Sequence, residues 1–247
     1  MDVLLLRLDA PLVSFGGPAV DNLGVVLPFP GAAMLTGLLG NALGYEHRDA
    51  DRLGALQARL RYAVRVDRNP ERLTDFQTVD LGQAWMETGG WTTAGAVDQR
   101  GKGDATSGTH IRYRDFWADG VFTIVVGLVS PDGEPTVDQL EAALLEPARP
   151  LFIGRKTCLP AAPILLGRAR ANGLVDALRA APPITCDRWR GEKATPLLAW
   201  WPDDEGEPSA PHVVPVVDER DWANQIHVGR RMVRQGLIEL TEGENAR

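Results

Sequence analysis

The segment from Pro150 to Pro160 combines residue types that suit the binding of an anion. It contains an aromatic residue, a glycine, two adjacent cations and a hydroxyl: Phe152, Gly154, Arg155, Lys156 and Thr157. Between Pro147 and Val175 the chain has five cationic residues and no Asp or Glu, whereas the whole chain carries a net charge of −7. Concentrated positive charge of this kind predicts a site for a phosphate chain. The alternative is a connecting loop whose cations face water.

The composition limits what such a site can be. A length of 247 residues with 44% hydrophobic residues is enough for one large domain, or for a core domain with an elaborated second half. A pI near 5.2 argues against indiscriminate nucleic-acid binding, so an RNA site would be a local groove or a surface completed by a partner. The two cysteines, Cys158 and Cys186, have no CxxC spacing, which predicts free thiols and neither a disulfide framework nor a zinc site.

The sequence contains no signal that places the protein in a membrane. The apolar run near the N-terminus is too short for a signal peptide and has the wrong flanks. No run of about 18 apolar residues occurs. We therefore expect a soluble cytoplasmic protein with no membrane partner, no metal and no cofactor.

Two elements precede the middle of the chain. Val3 to Leu8 is an apolar run typical of a buried strand. The loop that follows contains Ser14, Phe15 and Gly16, where backbone amides can approach a ligand and the Phe15 ring could stack on a base. The alternative places Phe15 in the core.

The clearest helix is predicted over Ala32 to Leu43, where apolar residues recur at helical spacing. Its other face carries Ala33, Gly37, Gly40 and Gly44. Glycines inside a helix indicate that something approaches closely; packing on the sheet is the favoured interpretation, and another backbone or a nucleic-acid strand are the alternatives. No Gly-Lys-Ser/Thr ends the helix, so a P-loop has no support. A second helix is predicted from Asp51 to Leu60, followed by a strand from Arg61 to Asp67.

Residues 80–110 differ from the rest because they show neither helical nor strand periodicity. They are rich in Gly, Thr and Trp, and such a long segment usually marks a functional loop. We interpret it as a projecting arm that packs on a partner through Trp85, Trp91, Arg100 and Lys102.

The second half of the chain regains regular patterns. The strand 111–117 alternates cations, among them Arg112 and Arg114, with bulky residues, and it is predicted to form a hairpin with the apolar strand 121–129. Thr136 and Gln139 have the spacing of a capping box that opens a helix. An apolar strand is predicted around 162–166, and a short helix from Leu174 to Ala180.

This order of elements predicts an α+β protein with a ferredoxin-like (RRM-like) domain. The predicted division is residues 1–79 and 111–170 for the ferredoxin-like RNA-binding domain, 80–110 for the inserted arm (thumb) and 171–247 for a smaller C-terminal β-rich part.

The order and spacing of six segments carry a resemblance to a known family. The segments are Leu-x-Ala-Pro-x-x-Ser-Phe-Gly at 8–16, the glycine-rich helix end at 37–44, Asp-Phe-Gln-Thr-Val at 75–79, Arg-Asp-Phe at 114–116, Gly-Arg-Lys-Thr-Cys at 154–158 and Arg-Asp-Trp at 220–222. The chain resembles the CasD family, the Cas-five-type subunits of type I-E CRISPR Cascade, which are members of the repeat-associated RNA-binding superfamily.

The resemblance implies a non-catalytic subunit that binds the 5′ handle of the crRNA and caps the backbone filament in antiviral defence. Its partners would be the crRNA, the Cascade backbone subunit, the large PAM-sensing subunit and, indirectly, target DNA. The residues predicted to bind RNA are Ser14, Phe15, Gly16, Gln77, Arg112, Arg114, Phe152, Gly154, Arg155, Lys156 and Thr157.

Two other functions have some support in the residues. A metal-independent endoribonuclease that processes CRISPR repeat RNA could use Lys156 to stabilise charge, with Tyr113 and His110 in proton transfer. Tyr113 and His110 would lie on opposite sides of a strand, which opposes this. A metabolic enzyme could bind a small phosphorylated ligand through residues 154–157, but nothing supplies its acid–base pair and the arm would have no role.

Overall fold

The fold is taken from a computed structural model that describes residues 1–17, 22–80, 90–91, 97–98, 109–184, 196–205 and 212–241. The helices are α1 (Ala32–Ala42), α2 (Ala50–Arg59), α3 (Val137–Leu145) and α4 (Leu174–Ala180). The strands up to residue 118 are β1 (Asp2–Asp9), β2 (Leu12–Val13), β3 (Leu23–Gly24), β4 (Leu60–Arg68), β5 (Glu71–Asp80), β6 (Gly90–Trp91), β7 (Val97–Asp98) and β8 (Thr109–Ala118). The later strands are β9 (Val121–Leu128), β10 (Leu165–Arg170), β11 (Leu197–Pro202), β12 (His212–Val216), β13 (Glu219–Asp221), β14 (Ile226–Val228) and β15 (Arg231–Ile238).

A seven-stranded antiparallel sheet forms the centre of the described structure. Its order is β10-β1-β9-β4-β11-β15-β12. Every residue of β9 is buried, because β1 and β4 flank it and both of its faces are covered. This explains its unbroken apolar sequence, which a strand with one wet face would not have.

The two faces of this sheet have separate cores. Leu4, Leu6 and Leu8 point to the face that packs against α1 and α3, whereas Val3 points to the face that packs against α4. The alternation follows from the two-residue period of a strand. The same period puts Arg65 of β4 on the α4 side.

The elements predicted from periodicity are present, with bounds that differ by a few residues. The helix predicted over Ala32 to Leu43 ends at Ala42, and the short helix at Leu174–Ala180 has the predicted bounds. The capping box of α3 is confirmed, because Thr136 Oγ1 accepts from the Gln139 backbone N–H at 3.2 Å and Gln139 Oε1 accepts from that of Thr136 at 2.8 Å. The strand predicted near 162–166 begins instead at Leu165.

The predicted hairpin between strands 111–117 and 121–129 is wrong. β8 pairs with β5 over ten residue pairs, from Glu71 with Ala118 to Asp80 with Thr109, and also with β2 and β3. After Gly120 the chain leaves this second sheet, and β9 lies in the central one. The reason is burial, since the apolar β9 needs cover on both faces and the cation-bearing β8 is largely exposed. The periodicity argument also missed β5.

Three of the described strands beyond residue 171, namely β11, β12 and β15, continue the central sheet. β11 pairs with β4, with Ala199 opposite Arg65 and Trp200 opposite Val64. Trp200 and Val233 belong to the same core as Leu4 of β1. The predicted division into domains stays a prediction; the strand pairing joins the later strands directly to the earlier ones.

Two properties of the described residues bear on function. No helix among them is long and apolar enough to cross a membrane. No group of three or more His, Cys, Asp or Glu side chains in the described ranges is placed to hold a metal ion.

Candidate nucleic-acid interface

A groove of about 880 Å³ lies between α1, the segment 149–159 and the hairpin β13–β14. The described residues that line it include the cations Arg149, Arg155, Lys156 and Arg220 and the carboxylate Glu46. Met34, Leu38 and Leu151 are among its apolar lining residues. The groove is therefore cationic in a chain whose net charge is negative.

The glycines of α1 have different roles. A Cβ on Gly40 would lie 2.6 Å from Leu53 of α2, so Gly40 allows the two helices to approach each other. A Cβ on Gly37 would meet only the Trp222 ring, at an ordinary 3.7 Å. At Gly40 the close neighbour of this face is therefore helix α2. Gly37 lines the groove, and its lack of a side chain leaves that part of the groove open.

The segment 150–160 is fixed at its base and exposed at its tip. Ile153 and Cys158 are buried, and the Ile153 N–H donates to the Cys158 carbonyl at 2.8 Å. The Ser14 N–H donates to the Ile153 carbonyl at 3.1 Å. These contacts leave Gly154 through Thr157 between two buried anchors, where Gly154, Lys156 and Thr157 are exposed.

Gly154 cannot be replaced without strain. Its φ of +88° lies in the left-handed region that side chains other than glycine rarely adopt. A Cβ there would lie 1.7 Å from the Ser14 carbonyl oxygen. The glycine therefore brings the loop into contact with the backbone that follows β2.

Arg155 hydrogen-bonds to the backbone of two other segments of the protein and also lines the groove. It donates from Nη1 to the Asp115 carbonyl at 2.9 Å and from Nη2 to the Gly24 carbonyl at 3.2 Å. Its guanidinium also lies 4.5 Å from the Phe116 ring centroid. Burial, and then the neighbouring charge of Arg114, lower the pKa of Arg155. Bonds to described residues use two of its five N–H donors, so Arg155 ties the loop to β8 and β3 with donors left over.

Lys156 and Thr157 differ from Arg155 because both side chains are exposed. Lys156 lines the groove and forms no ion pair with a described residue. Thr157 hydrogen-bonds to the Cys158 thiol, whose pKa is raised chiefly by burial. Cys158 is only 1% exposed and acts as a packed structural thiol.

The loop after β2 places its three predicted residues differently. Phe15 is fully buried and meets Phe122 edge-on at a centroid distance of 4.9 Å, so its ring is not available to stack on a base. The prediction that Phe15 stacks on a base is therefore wrong, and the alternative, that Phe15 lies in the core, is confirmed. Ser14 and Gly16 line the groove, and Gly16 forms a bridge with Val26.

Gln77, Arg112 and Arg114 lie outside the groove lining, on the β5–β8 ribbon. Gln77 pairs with Arg112 and Asp75 with Arg114, and these four side chains share one face. Gln77 Nε2 donates to Asp75 Oδ2 at 2.5 Å. Arg114 lies close enough to the loop for its positive charge to be the second cause of the lowered pKa of Arg155.

The residues predicted to form the arm's partner contact cannot be placed. Trp85, Arg100 and Lys102 lie outside the described residues, and Trp91 is described only as part of the backbone of β6.

Asp218 anchors the third wall of the groove to α1. Its carboxylate accepts from the Ala32 N–H at 2.9 Å, from Tyr62 Oη at 3.0 Å and from Arg231 Nε at 2.8 Å. Burial raises the pKa of Asp218, but the hydrogen bonds from Arg231, Ala32 and Tyr62 outweigh it and the net pKa is lowered. The Asp218 carboxylate thus binds the N-terminus of α1. Asp218 also directly precedes β13 in the chain, so this contact fixes the start of the hairpin.

Sequence comparison assigns the family. The family model described as CRISPR-associated protein (Cas_Cas5) matches residues 3–234. The chain belongs to the Cas5 family. The family resemblance drawn from the six segments is thereby confirmed.

Two kinds of relative are similar to this Cas5 chain over most of its length. The CRISPR system Cascade subunit CasD of Escherichia coli (strain K12) is 30% identical over 194 residues, which are 78% of this chain and 82% of that protein. A chain of a solved CRISPR RNA-guided surveillance complex matches with a TM-score of 0.67 and 27% identity, over 96% of this chain and 90% of that one. A solved Cas protein matches with a TM-score of 0.64 and 25% identity, over 98% of this chain and all of the other. The α+β, strand-rich class of the fold is confirmed.

The Cas5 chain brings together six of the predicted residues along the groove: Ser14, Gly16, Phe152, Gly154, Arg155 and Lys156. Sequence reasoning missed the wall opposite them, made by Arg220, Trp222 and His227. The available signal was the Arg-Asp-Trp segment at 220–222, which carried the resemblance but received no role. No local pattern connects His227 with the loop residues about 70 positions earlier.

Proposed function

We propose that this chain is the subunit of a Cascade-type CRISPR surveillance complex that binds the 5′ handle of the crRNA. The observation that carries the proposal is the cationic groove beside Gly154–Thr157 in an acidic chain of the Cas5 family. The likeness to a Cascade subunit and to a chain of an RNA-guided surveillance complex supports it.

In this proposal the phosphate chain runs along the loop 154–157. Lys156, and the donors of Arg155 that its own chain does not use, neutralise phosphates. Gly154 lets the loop backbone come close, and Phe152, which lines the groove and is half-buried, stacks on an unpaired base. Arg112 and Arg114, with the amide of Gln77 beside them, extend the proposed RNA-binding surface onto the ribbon.

The strand order supports the finer assignment of a ferredoxin-like RNA-binding domain. Taken along the chain, β1, α1, β4, β9, α3 and β10 follow the β-α-β-β-α-β pattern, and the four strands lie in the order β10-β1-β9-β4. In this proposal the arm is residues 80–110, which β5 and β8 flank in the sequence. Among the described residues after 171, β11, β12 and β15 extend the central sheet.

The proposed partners are the Cascade backbone subunit, whose filament this chain caps in the cytoplasm, and the large PAM-sensing subunit, with target DNA contacted only indirectly. Deleting residues 83–107 should leave a folded protein that assembles poorly with the backbone subunit, because the arm is the contact. The measurement is the yield of complex in co-purification. Unchanged assembly would show that the segment is only a loop.

We propose that the subunit holds the RNA without cutting it. His110 and Tyr113, the candidates for proton transfer, lie on opposite faces of β8, three residues apart in one regular strand. Labelled repeat RNA incubated with the pure protein and EDTA should stay intact. Cleavage that Lys156→Ala abolishes would support the endoribonuclease instead.

The decisive experiment reverses the charge of the loop. Arg155→Glu with Lys156→Glu should abolish retention of guide RNA in the assembled complex while the protein stays soluble. The matched control, Arg170→Glu with Arg179→Glu, makes the same charge change on residues that do not line the groove. RNA bound per complex is the measurement, and normal retention by the loop variant would remove the loop from the site.

A further inference from the structure

The hairpin β13–β14 forms a wall of the groove that has no assigned role. Arg220 and His227 lie directly opposite each other in this hairpin, and both line the groove. Both residues are half-buried. Their side chains share one side of the hairpin, because directly opposed residues of an antiparallel pair point the same way.

Arg220 has N–H donors that no described residue accepts. Its Nη2 donates to Gln225 Oε1 at 2.7 Å. Its Nε is covered and has no hydrogen-bond partner in the described ranges. Buried polar atoms without a partner are rare in native proteins, so this one needs a physical explanation.

His227 presents the complementary group. Its Nδ1 is also covered and has no partner among the described residues. Burial, and then the charge of Arg220, lower the pKa of His227, which favours the neutral ring. In a neutral imidazole one nitrogen donates and the other accepts, so the unpartnered Nδ1 can serve as an acceptor.

The wall is held firmly in place by α2. Gln57 donates from Nε2 to the Arg220 carbonyl at 3.1 Å and accepts at Oε1 from the Arg220 N–H at 3.1 Å. The Trp222 indole N–H donates to the same Oε1 at 3.2 Å. The Gln57 side chain thus makes two hydrogen bonds with the Arg220 backbone and a third with the Trp222 indole, and this is the support that a recognition site needs.

We propose, resting on the proposed function, that this wall recognises the edge of one unpaired base of the RNA, with Arg220 as donor and His227 as acceptor. The base lies over the apolar part of the groove near Met34 and Leu38, while its phosphates stay at 154–157. A side-chain rotation brings Arg220 Nε and His227 Nδ1 to the base edge, where each gains the hydrogen-bond partner that it lacks among the described residues.

The chemistry favours a base over a phosphate at this wall. A base edge carries a donor beside an acceptor, which matches the Arg220 and His227 couple. A phosphate offers acceptors only, so one of its oxygens would face the His227 lone pair. The apolar lining also suits a planar ring better than a hydrated anion.

The experiment compares base-bearing RNA with RNA that has no bases. Single-stranded octamers of A and of U, and an abasic octamer with the same ribose-phosphate backbone, are titrated onto the full-length chain by fluorescence anisotropy at pH 7.5. His227→Phe removes the acceptor without changing the charge, and Arg220→Lys keeps the charge but removes Nε. Each should weaken binding of at least one base-bearing octamer about tenfold and leave the abasic octamer within about twofold. His227→Asn, which offers an acceptor at a similar position, should recover part of the loss.

The possible outcomes separate this inference from the function on which it rests. Equal weakening of base-bearing and abasic RNA would overturn base recognition, and so would no weakening of either. If Lys156→Ala weakens binding of the abasic octamer while neither wall variant weakens binding of any octamer, the phosphate contact of the proposed function stands and base recognition is wrong. Absence of any wild-type binding would overturn this inference, whereas the proposed function is decided separately by RNA retention in the assembled complex. Thermal unfolding of each variant confirms that it is folded before titration.

Discussion

The two sides of the central sheet use arginine in opposite ways. On the α4 side, Arg65 is fully buried and makes five hydrogen bonds, to Asp67, Leu178, Ala181, Thr123 and Pro182, at 2.5 to 3.3 Å. These use all five donors of its guanidinium. On the groove side, Arg155 uses two donors and Arg220 one within the described structure.

This difference separates structural cations from cations available to a ligand. Arg65 stabilises the end of α4 and neutralises Asp67, whose side chain is also fully buried, so nothing of its charge reaches a ligand. The groove cations line an open space of about 880 Å³, and Arg155 and Arg220 keep N–H donors that no described residue accepts. The number of donors that the fold consumes, more than the residue type, decides which role an arginine has.

The largest expected effect is the loss of Arg65. Arg65→Met should lower the free energy of unfolding by about 3–5 kcal/mol, because it leaves the buried Asp67 carboxylate without its cation. Urea unfolding is the measurement. Arg155→Met is the matched variant, and its cost should be about 1–2 kcal/mol, since it removes two hydrogen bonds in a half-buried setting. Equal costs for the two variants would contradict the distinction between the two sides.

A smaller effect is expected from the backbone of the loop. Gly154→Ala should cost about 1–3 kcal/mol, because φ is +88° and the new Cβ would collide with the Ser14 carbonyl. Thermal unfolding measures the cost. Gly16→Ala is the control, since a Cβ there meets nothing within 4 Å, and it should change stability by less than about 0.5 kcal/mol. If the two substitutions behaved alike, the loop would not be pressed on the Ser14 backbone.

The smallest effect on stability is expected at Lys156, which binds no described residue. Lys156→Gln should change the free energy of unfolding by less than about 0.5 kcal/mol. It should nevertheless weaken RNA binding and reduce the slope of log K against log salt by about 0.7, the value for one phosphate contact on a single strand. Arg170→Gln, at a site outside the groove lining, should leave the slope unchanged. A normal slope for Lys156→Gln would place this cation outside the RNA path.

Local patterns predicted most of the regular elements. The apolar spacing of α1, the capping box of α3 and the short α4 all depend on interactions within one turn or one helix, and those are readable from consecutive residues. The pairing of β8 was not readable in this way. Whether β8 joins β9 or β5 depends on which strand must be covered on both faces, and only the assembled sheet decides that.

The candidate site was predicted on one side of the groove and missed on the other. Gly154, Arg155 and Lys156 are consecutive, so their concentration of charge is visible in the sequence. Arg220 and His227 reach the groove because Asp218 binds the N-terminus of α1 and Gln57 binds the backbone of Arg220. Those hydrogen bonds join residues more than 160 positions apart, beyond any local pattern.

By itself, the sequence determined that cations, a glycine and an aromatic residue are concentrated in one short segment of an acidic chain, and that the segments around it are those of a Cas5 protein. The tertiary structure decided which of those groups are free to act. It buried Phe15 in the core, turned Arg155 partly inward and left Lys156 exposed. The physical reason is that a side chain's remaining hydrogen-bonding capacity depends on neighbours from distant parts of the chain.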